Sequence, residues 1–168
     1  MKQEFQQMID DCNVELDDIQ TKIAALPSTD RMRQYLTNYA LIRTCGIAEF
    51  VYRSIITDYF SKYSSTQINK YLESTIRNAS HSVLYDNICA LLGKFDDSWR
   101  NNFQTTVATH TNSSGKNDKE KLILSTKSLV NNRHAFAHGK STSVSFTQIK
   151  EYFKDVIELI KILDAVVI

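Results

Sequence analysis

Hydrophobic residues near the start of the chain recur at alternating steps of four and three. They lie on one side of a predicted helix and are Phe5, Ile9, Cys12, Leu16, Ile19, Ile23 and Leu26. This spacing is typical of a long bundle helix or a coiled coil. Pro27 is expected to end the helix, because proline lacks the amide donor that a helix interior requires. Residues 1–27 are therefore predicted to form one amphipathic helix.

A second long helix is predicted from about Asp30 to Tyr63. Its apolar positions spread over more than one face, and they are Tyr35, Tyr39, Ile42, Cys45, Ile47, Phe50, Val51, Ile55, Tyr59 and Phe60. An apolar surface of this width indicates a helix that packs against several neighbours.

Capping signals divide the rest of the chain into shorter helices. In a capping box, a small polar residue is followed three positions later by Glu or Gln, and the two side chains bond the free amides of the first turn. Such pairs are Ser64 with Gln67, Asn117 with Glu120, and Ser145 with Gln148. They predict the start of a third helix, of a helix that runs toward Asn132, and of the last helix.

The segment between these signals is predicted to hold one more helix and a loop. A fourth helix is expected over Ser82–Leu92, with Gly93 at its end. Residues 94–103 are expected to form a short aromatic turn, and residues 104–118 a polar loop. One proline and four glycines are too few turn residues for a β-sandwich or barrel. The sequence therefore predicts a single all-α domain over residues 1–168, a bundle with two long N-terminal helices.

Charge is unevenly distributed, although the net charge of the 168-residue chain is only +1. Residues 1–30 contain seven acidic and two basic side chains, so the first helix is acidic. The remaining residues carry 18 basic and 12 acidic side chains. This surplus admits a polyanionic partner without requiring one.

Composition also indicates where in the cell the protein is located and whether it binds a metal or a cofactor. No apolar run approaches the ~18 residues of a membrane span, and the polar N-terminus shows no signal peptide. A cytoplasmic protein without a membrane partner is expected. The three cysteines, Cys12, Cys45 and Cys89, are far apart and form no Cys-x-x-Cys or Cys/His spacing. We therefore expect no metal, no disulfide and no cofactor.

Candidate chemistry is concentrated in residues 131–139, Asn-Asn-Arg-His-Ala-Phe-Ala-His-Gly. Arg133, His134 and His138 lie within six residues, directly before the glycine expected to end the helix. Arginine is a permanent cation whose planar group matches a phosphate. Histidine exchanges a proton near neutral pH. RNA cleavage without a metal needs these two groups, a base for the ribose 2′-hydroxyl and a cation for the charge developing at phosphorus.

The geometry of this segment leaves its role open. Arg133 and His138 are five residues apart, which places them about 140° apart on a regular helix. Either the helix loosens before Gly139, or the site is assembled with groups from a second chain. Alternatively, the two imidazoles cap the last carbonyls of the helix and carry no chemistry.

The pattern Arg133-x-x-x-x-His138 resembles the motif of HEPN-domain proteins, an arginine followed after four to six residues by a histidine. Three more segments are similar to the ribonuclease-like (RiboL-PSP) HEPN subgroup, namely residues 41–53, 91–103 and 144–153. The resemblance spans about residues 35–168.

The resemblance implies a helical bundle that forms a homodimer, with the two motif segments facing each other across one cleft. It further implies a metal-independent endoribonuclease of a toxin–antitoxin or phage-defence system, with RNA as substrate and an antitoxin or defence protein as partner. By position, Arg133 and His138 are the catalytic pair, and His134 and Asn132 are supporting residues. Glu49 is expected either to line the cleft or to form an ion pair with Arg53 on its own helix.

Two other classes of function stay open. Some HEPN proteins act only as RNA-binding or scaffold modules, although an intact Arg133 and His138 pair favours the nuclease. The acidic helix 1–27 would also suit a plain helical interaction module.

Overall fold

Helices account for nearly all the regular structure of the chain. The computed structural model describes all 168 residues, Met1–Ile168. The helices are α1 (Gln3–Ala25), α2 (Met32–Ser61), α3 (Thr66–Leu72), α4 (Tyr85–Phe95), α5 (Asp97–Thr109), α6 (Lys119–Ala137) and α7 (Phe146–Val166), with a π-helical turn at Glu73–Arg77. The only β pairing is an isolated bridge between Thr111 and Asn117. The prediction of an all-α fold is confirmed.

The two long N-terminal helices are α1 and α2. The predicted apolar seam of α1 is buried from Phe5 to Ile19, and the helix ends at Ala25, just before Pro27. The Arg33 guanidinium on α2 closes this end, since it donates to the carbonyls of Ile23 at 2.6 Å and Leu26 at 2.9 Å. These bonds satisfy carbonyls that a helix end leaves free.

Helices α2 and α7 lie at the centre of the bundle. Helix α2 packs against α1, α6 and α7, while α7 packs against α2, α5 and α6. The buried apolar side chains form one connected core to which every helix contributes. The predicted capping box of Ser145 and Gln148 is formed at the start of α7. Every helix is too short or too polar to span a membrane.

Three predicted boundaries in the middle of the chain are wrong. Helix α3 is capped by Ser65, whose hydroxyl accepts from the Ile68 amide, and not by Ser64. Helix α4 begins at Tyr85 and continues through Gly93 to Phe95. A side chain at Gly93 would meet the Arg100 guanidinium at 3.1 Å. This glycine therefore leaves room for the Arg100 side chain of α5, and it does not end the helix.

The predicted aromatic turn and polar loop are also wrong in extent. Helix α5 continues to Thr109 because Trp99, Phe103 and Val107 form a buried stripe at steps of four. The loop is therefore limited to residues 110–118. Its two ends are joined by a hydrogen bond of 2.7 Å between His110 Nδ1 and Asp118 Oδ1.

The capping box predicted at Asn117 and Glu120 is not formed. The N-cap of α6 is Asp118, and its side chain makes no capping bond. The Asn117 side chain instead accepts from the Lys119 amide at 3.2 Å and donates to the Ala108 carbonyl at 2.7 Å. The asparagine thus connects α5 to α6.

Candidate active site

The motif lies in the last turn of α6, where the helix ends in main-chain hydrogen bonds. Gly139 adopts a φ of +73°, a conformation that suits glycine. The Lys140 amide donates to the Ala135 carbonyl and the Gly139 amide to the Phe136 carbonyl, both at 2.9 Å. These two bonds form the Schellman pattern, which satisfies the last carbonyls of a helix.

Neither imidazole is needed as a cap at this helix end. His134 and His138 are both exposed. The side-chain hydrogen bonds of the segment are those of Asn132 and Arg133 instead. The structure therefore leaves both rings free to meet a ligand, contrary to the capping interpretation.

Helix α6 stays regular up to the end of the motif. The His138 amide donates to the His134 carbonyl at 3.1 Å, the ordinary bond to the fourth residue before it. The idea that the helix loosens before Gly139 is therefore wrong. Arg133 and His138 stay about 140° apart around the helix axis, whereas His134 and His138 share one face.

The Arg133 side chain is directed toward α2. Its Nη2 lies 2.5 Å from Oε1 of Glu49, and the two side chains are 24% and 14% exposed. The structure thus brings together two of the predicted site residues. Arg53 does not pair with the Glu49 carboxylate. Its Nε instead donates a hydrogen bond of 2.8 Å to the Glu49 main-chain carbonyl. The ion pair within α2, the alternative considered for Glu49, is therefore not formed.

A buried thiol completes the surroundings of Arg133. Cys45 Sγ lies 3.7 Å from the same oxygen of Glu49. Burial and the nearby Glu49 charge raise the pKa of Cys45 to about 12, so the thiol stays protonated and is a poor nucleophile. Burial lowers the pKa of Arg133, but Cys45 and Glu49 outweigh it, so the pKa is raised overall and the charge is permanent.

Asn132 is occupied within its own helix. Its side-chain amide donates to the Ser128 carbonyl at 2.8 Å. The structure therefore does not place it in contact with Arg133 or either imidazole, although it lies in the same helical turn.

One groove begins at the motif, and a second groove adjoins it. The first has a volume of about 370 Å³ and is lined by Phe136, Gly139, Lys140, Ser141 and Thr142 from the motif side and by Gln34 and Asn38 from α2. Gln34 and Thr142 also line a second groove of about 710 Å³. Asn38 accepts from Gln34 at 2.9 Å and from Thr142 at 3.2 Å. Gln34 and Asn38 were not among the predicted site residues, because their spacing of four on a long helix is common.

An apolar stripe is exposed on the same helix. Met32, Tyr35, Tyr39 and Ile42 follow one another at steps of three, four and three, and they are 48%, 61%, 49% and 42% exposed. The stripe alternates along α2 with the groove residues Gln34 and Asn38. Exposed apolar residues grouped in this way indicate an interaction surface.

The acidic helix α1 uses part of its charge inside the chain. Glu15 accepts from Arg43 at 2.8 Å and also from the Tyr39 hydroxyl. Asp17 accepts from Lys150 on α7 at 2.6 Å. These bonds stabilise the packing of α1 on its neighbours. No cluster of three or more His, Cys, Asp or Glu side chains is placed to hold a metal ion.

A comparison with protein-family models decides the family. The RiboL-PSP-HEPN model matches residues 8–168 of this chain. The chain belongs to the RiboL-PSP-HEPN family. The match includes most of α1, which lay outside the resemblance seen in the sequence. HEPN domains are often ribonucleases, and they often bind RNA or form dimers. No curated protein and no solved structure matches the chain.

Proposed function

We propose that this chain is a metal-independent endoribonuclease that cleaves RNA at a site shared by two copies of the chain. The observation that carries the proposal is the pair of exposed imidazoles, His134 and His138, which the main-chain helix cap leaves free. Arg133, a permanent cation, lies at the same end of the helix. A base and a cation are the two groups that this chemistry requires.

The cleavage step follows from these groups. His138 removes the proton from a ribose 2′-hydroxyl, and the 2′-oxygen attacks the adjacent phosphorus. The bond from phosphorus to the 5′-oxygen breaks, and that oxygen takes a proton from a second imidazole such as His134. Arg133 stabilises the negative charge on the phosphate oxygens in the transition state. The products are a 2′,3′-cyclic phosphate and a 5′-hydroxyl.

Glu49 acts as a positioning residue in this scheme. Its carboxylate holds one side of the Arg133 guanidinium at 2.5 Å. The planar guanidinium has five N–H donors, so the others stay available for a phosphate. Holding a catalytic group in one orientation before the substrate arrives lowers the barrier to reaction.

Dimerisation is part of the proposal. Within one chain the regular end of α6 keeps Arg133 and His138 on different sides of the helix. A second copy would supply the complementary group to a common cleft. The exposed stripe of Met32, Tyr35, Tyr39 and Ile42 offers an apolar surface for that contact.

The cellular role that we propose is a toxin of a toxin–antitoxin pair or a phage-defence effector, acting in the cytoplasm with an antitoxin or defence protein as partner. This part is supported by the resemblance of the Arg133-x-x-x-x-His138 segment to HEPN effectors. In one subgroup of HEPN toxins, the antitoxin nucleotidylates a tyrosine that lies two residues after the histidine of the motif. In this chain that position is Lys140. Neutralisation by that modification is therefore not expected.

One observation favours a second candidate function, a non-catalytic RNA-binding or scaffold module. Arg133 is already paired with Glu49, and a purely structural arginine would be placed in the same way. The plain interaction module loses its basis, because the apolar seam of α1 is buried in the core of its own chain.

RNA cleavage by the purified protein is expected to persist in excess EDTA, because the proposed proton transfer and charge stabilisation use only side chains. The measurement is gel analysis of a labelled RNA, followed by mass spectrometry of the product ends. Products should carry a 2′,3′-cyclic phosphate, and a single 2′-deoxy substitution at the cleaved nucleotide should block cutting. Activity that is lost on chelation and restored by Mg²⁺ would contradict the proposal.

A further inference from the structure

The junction between α2 and α3 carries two of the most exposed aromatic side chains of the molecule. Tyr63 is 80% exposed and Tyr71 is 66% exposed, and Ile68 between them is 51% exposed. Nothing in the proposed cleavage step uses these residues. We call Tyr63, Tyr71, Ile68 and the two neighbouring lysines, Lys62 and Lys70, the corner surface.

One ring of the corner surface is backed by other aromatic rings, and the segment that carries the other ring is anchored in the core. The Tyr63 ring lies 6.1 Å from the ring of Tyr59, which in turn meets Trp99 edge-on at 4.8 Å. Leu72 and Ile76 anchor the other side in the core. A ring that is supported on one side and open on the other loses little conformational entropy when a ligand stacks on it.

The charge of the corner surface is positive. Lys62 and Lys70 are both exposed, and no acidic residue occurs between Tyr59 and Leu72. The nearest carboxylates in sequence already have cationic partners. Asp58 accepts from Lys2 and from Arg77, and Glu73 lies 3.2 Å from Arg77. Lys62 also lines a pocket with Asp58 and Asp164, and Asp164 is paired with the amino group of Met1. Neither lysine forms a salt bridge with these carboxylates, so both ammonium groups can meet an anionic ligand.

Helix α2 contacts both the motif and the segment that follows α3. Glu49 and Arg53 are one helical turn apart on one face of α2. Glu49 holds Arg133 of α6, and Arg53 donates to the Ala79 carbonyl just after the π-helical turn that follows α3. The same face of α2 thus touches the motif at one position and the chain after the π-helical turn one helical turn further on.

We propose that the corner surface binds the bases of single-stranded RNA by stacking on Tyr63 and Tyr71, with Lys62 and Lys70 on the phosphates. Exposed rings interleaved with unpaired cations are the combination that holds single strands with little sequence preference. The inference rests on RNA being the ligand of the proposed function. A protein partner is the competing occupant, but the lysines favour a polyanion.

The test is binding of a fluorescent single-stranded 2′-O-methyl RNA, which cannot be cleaved, measured by anisotropy on the full chain. Tyr63→Ala and Tyr71→Ala should each raise the Kd about tenfold, as expected for the loss of one stacked base. Tyr63→Phe and Tyr71→Phe are the matched controls and should bind like the wild type, because phenylalanine keeps the ring. Lys62→Gln and Lys70→Gln should each lower the salt dependence of binding by about one ion.

Unchanged RNA affinity in both alanine variants would overturn the proposal and assign the surface to a protein partner. Equal losses in the alanine and phenylalanine variants would overturn stacking as the mode of binding. A duplex of the same RNA should compete poorly, because paired bases cannot turn onto the rings. The readout is binding to uncleavable RNA, so it is separate from any failure of the protein to cleave.

Discussion

Replacing either Arg133 or His138 by alanine is expected to abolish RNA cleavage while the helical circular-dichroism signal is retained. Both groups act on the transition state, so the loss of either should lower the rate at least about 10²–10⁴-fold. Any growth toxicity of the wild type should disappear with the activity. His134→Ala should have a milder effect, because water can protonate the leaving oxygen in place of this imidazole.

The same variants should differ in stability. His138 is exposed and the main chain caps its helix, so His138→Ala should change the free energy of unfolding by less than about 0.5 kcal/mol. Arg133→Ala leaves the Glu49 carboxylate, which is 14% exposed, without its cation. The expected cost is about 1–3 kcal/mol. The double variant Arg133→Ala with Glu49→Ala should recover stability and stay inactive.

Matched controls separate catalysis from general damage. Arg100→Ala removes a half-buried arginine that pairs with Asp97 on its own helix and lies far from the motif in sequence, and His110→Ala removes a histidine in the loop after α5. Both should cleave RNA at the wild-type rate. Near-normal activity of Arg133→Ala or His138→Ala, or unfolding of His138→Ala, would show that the motif is structural.

A glutamate introduced into the apolar stripe of α2 is expected to convert a homodimer into a monomer and to lower cleavage strongly. Ile42 is 42% exposed in the single chain and would be covered by the second copy. Burying an unpaired carboxylate there costs several kcal/mol, enough to lower the dimer affinity by at least about 10²-fold. Size-exclusion chromatography with light scattering should report twice the 19.3 kDa chain mass for the wild type.

Val14→Glu is the matched control for this substitution. Val14 is also β-branched and helical, and it is 63% exposed on α1 and not part of the stripe. This variant should remain dimeric and active. A wild-type monomer at micromolar concentration, or an Ile42→Glu variant that is still dimeric, would contradict the assignment of the stripe as the dimer surface.

Patterns local in sequence predicted the elements that depend on local interactions. The steps of four and three in α1 and the capping box of Ser145 and Gln148 are both present in the structure. Each depends on contacts within one or two helical turns. The prediction failed at Gly93, which lies inside α4 with the Arg100 side chain of α5 packed against it. No local pattern reports such a contact.

In the candidate site, too, the residues could be predicted from local patterns, but the contacts between distant parts of the chain could not. The sequence identified Arg133, His138 and Glu49 individually, and the spacing of four on one helix offered Arg53 as an alternative partner for Glu49. The observed partner of Glu49 is Arg133, 84 residues away in the chain. Only the packing of α6 on α2 brings these two residues together. The exposed stripe on α2 could likewise not be predicted from the sequence. The apolar positions of this helix are spread over several faces, and the pattern does not show which of them the core covers.

The central claim is a catalytic site that two chains share, and a heterodimer of two inactive variants tests it most directly. Arg133→Ala and His138→Ala chains with different affinity tags are co-expressed and purified on both tags, and RNA cleavage is measured in EDTA. One of the two composite sites then retains an arginine from one chain and a histidine from the other. We expect about half of the wild-type rate, while each variant alone is inactive. A doubly tagged dimer as inactive as its parents would contradict the claim.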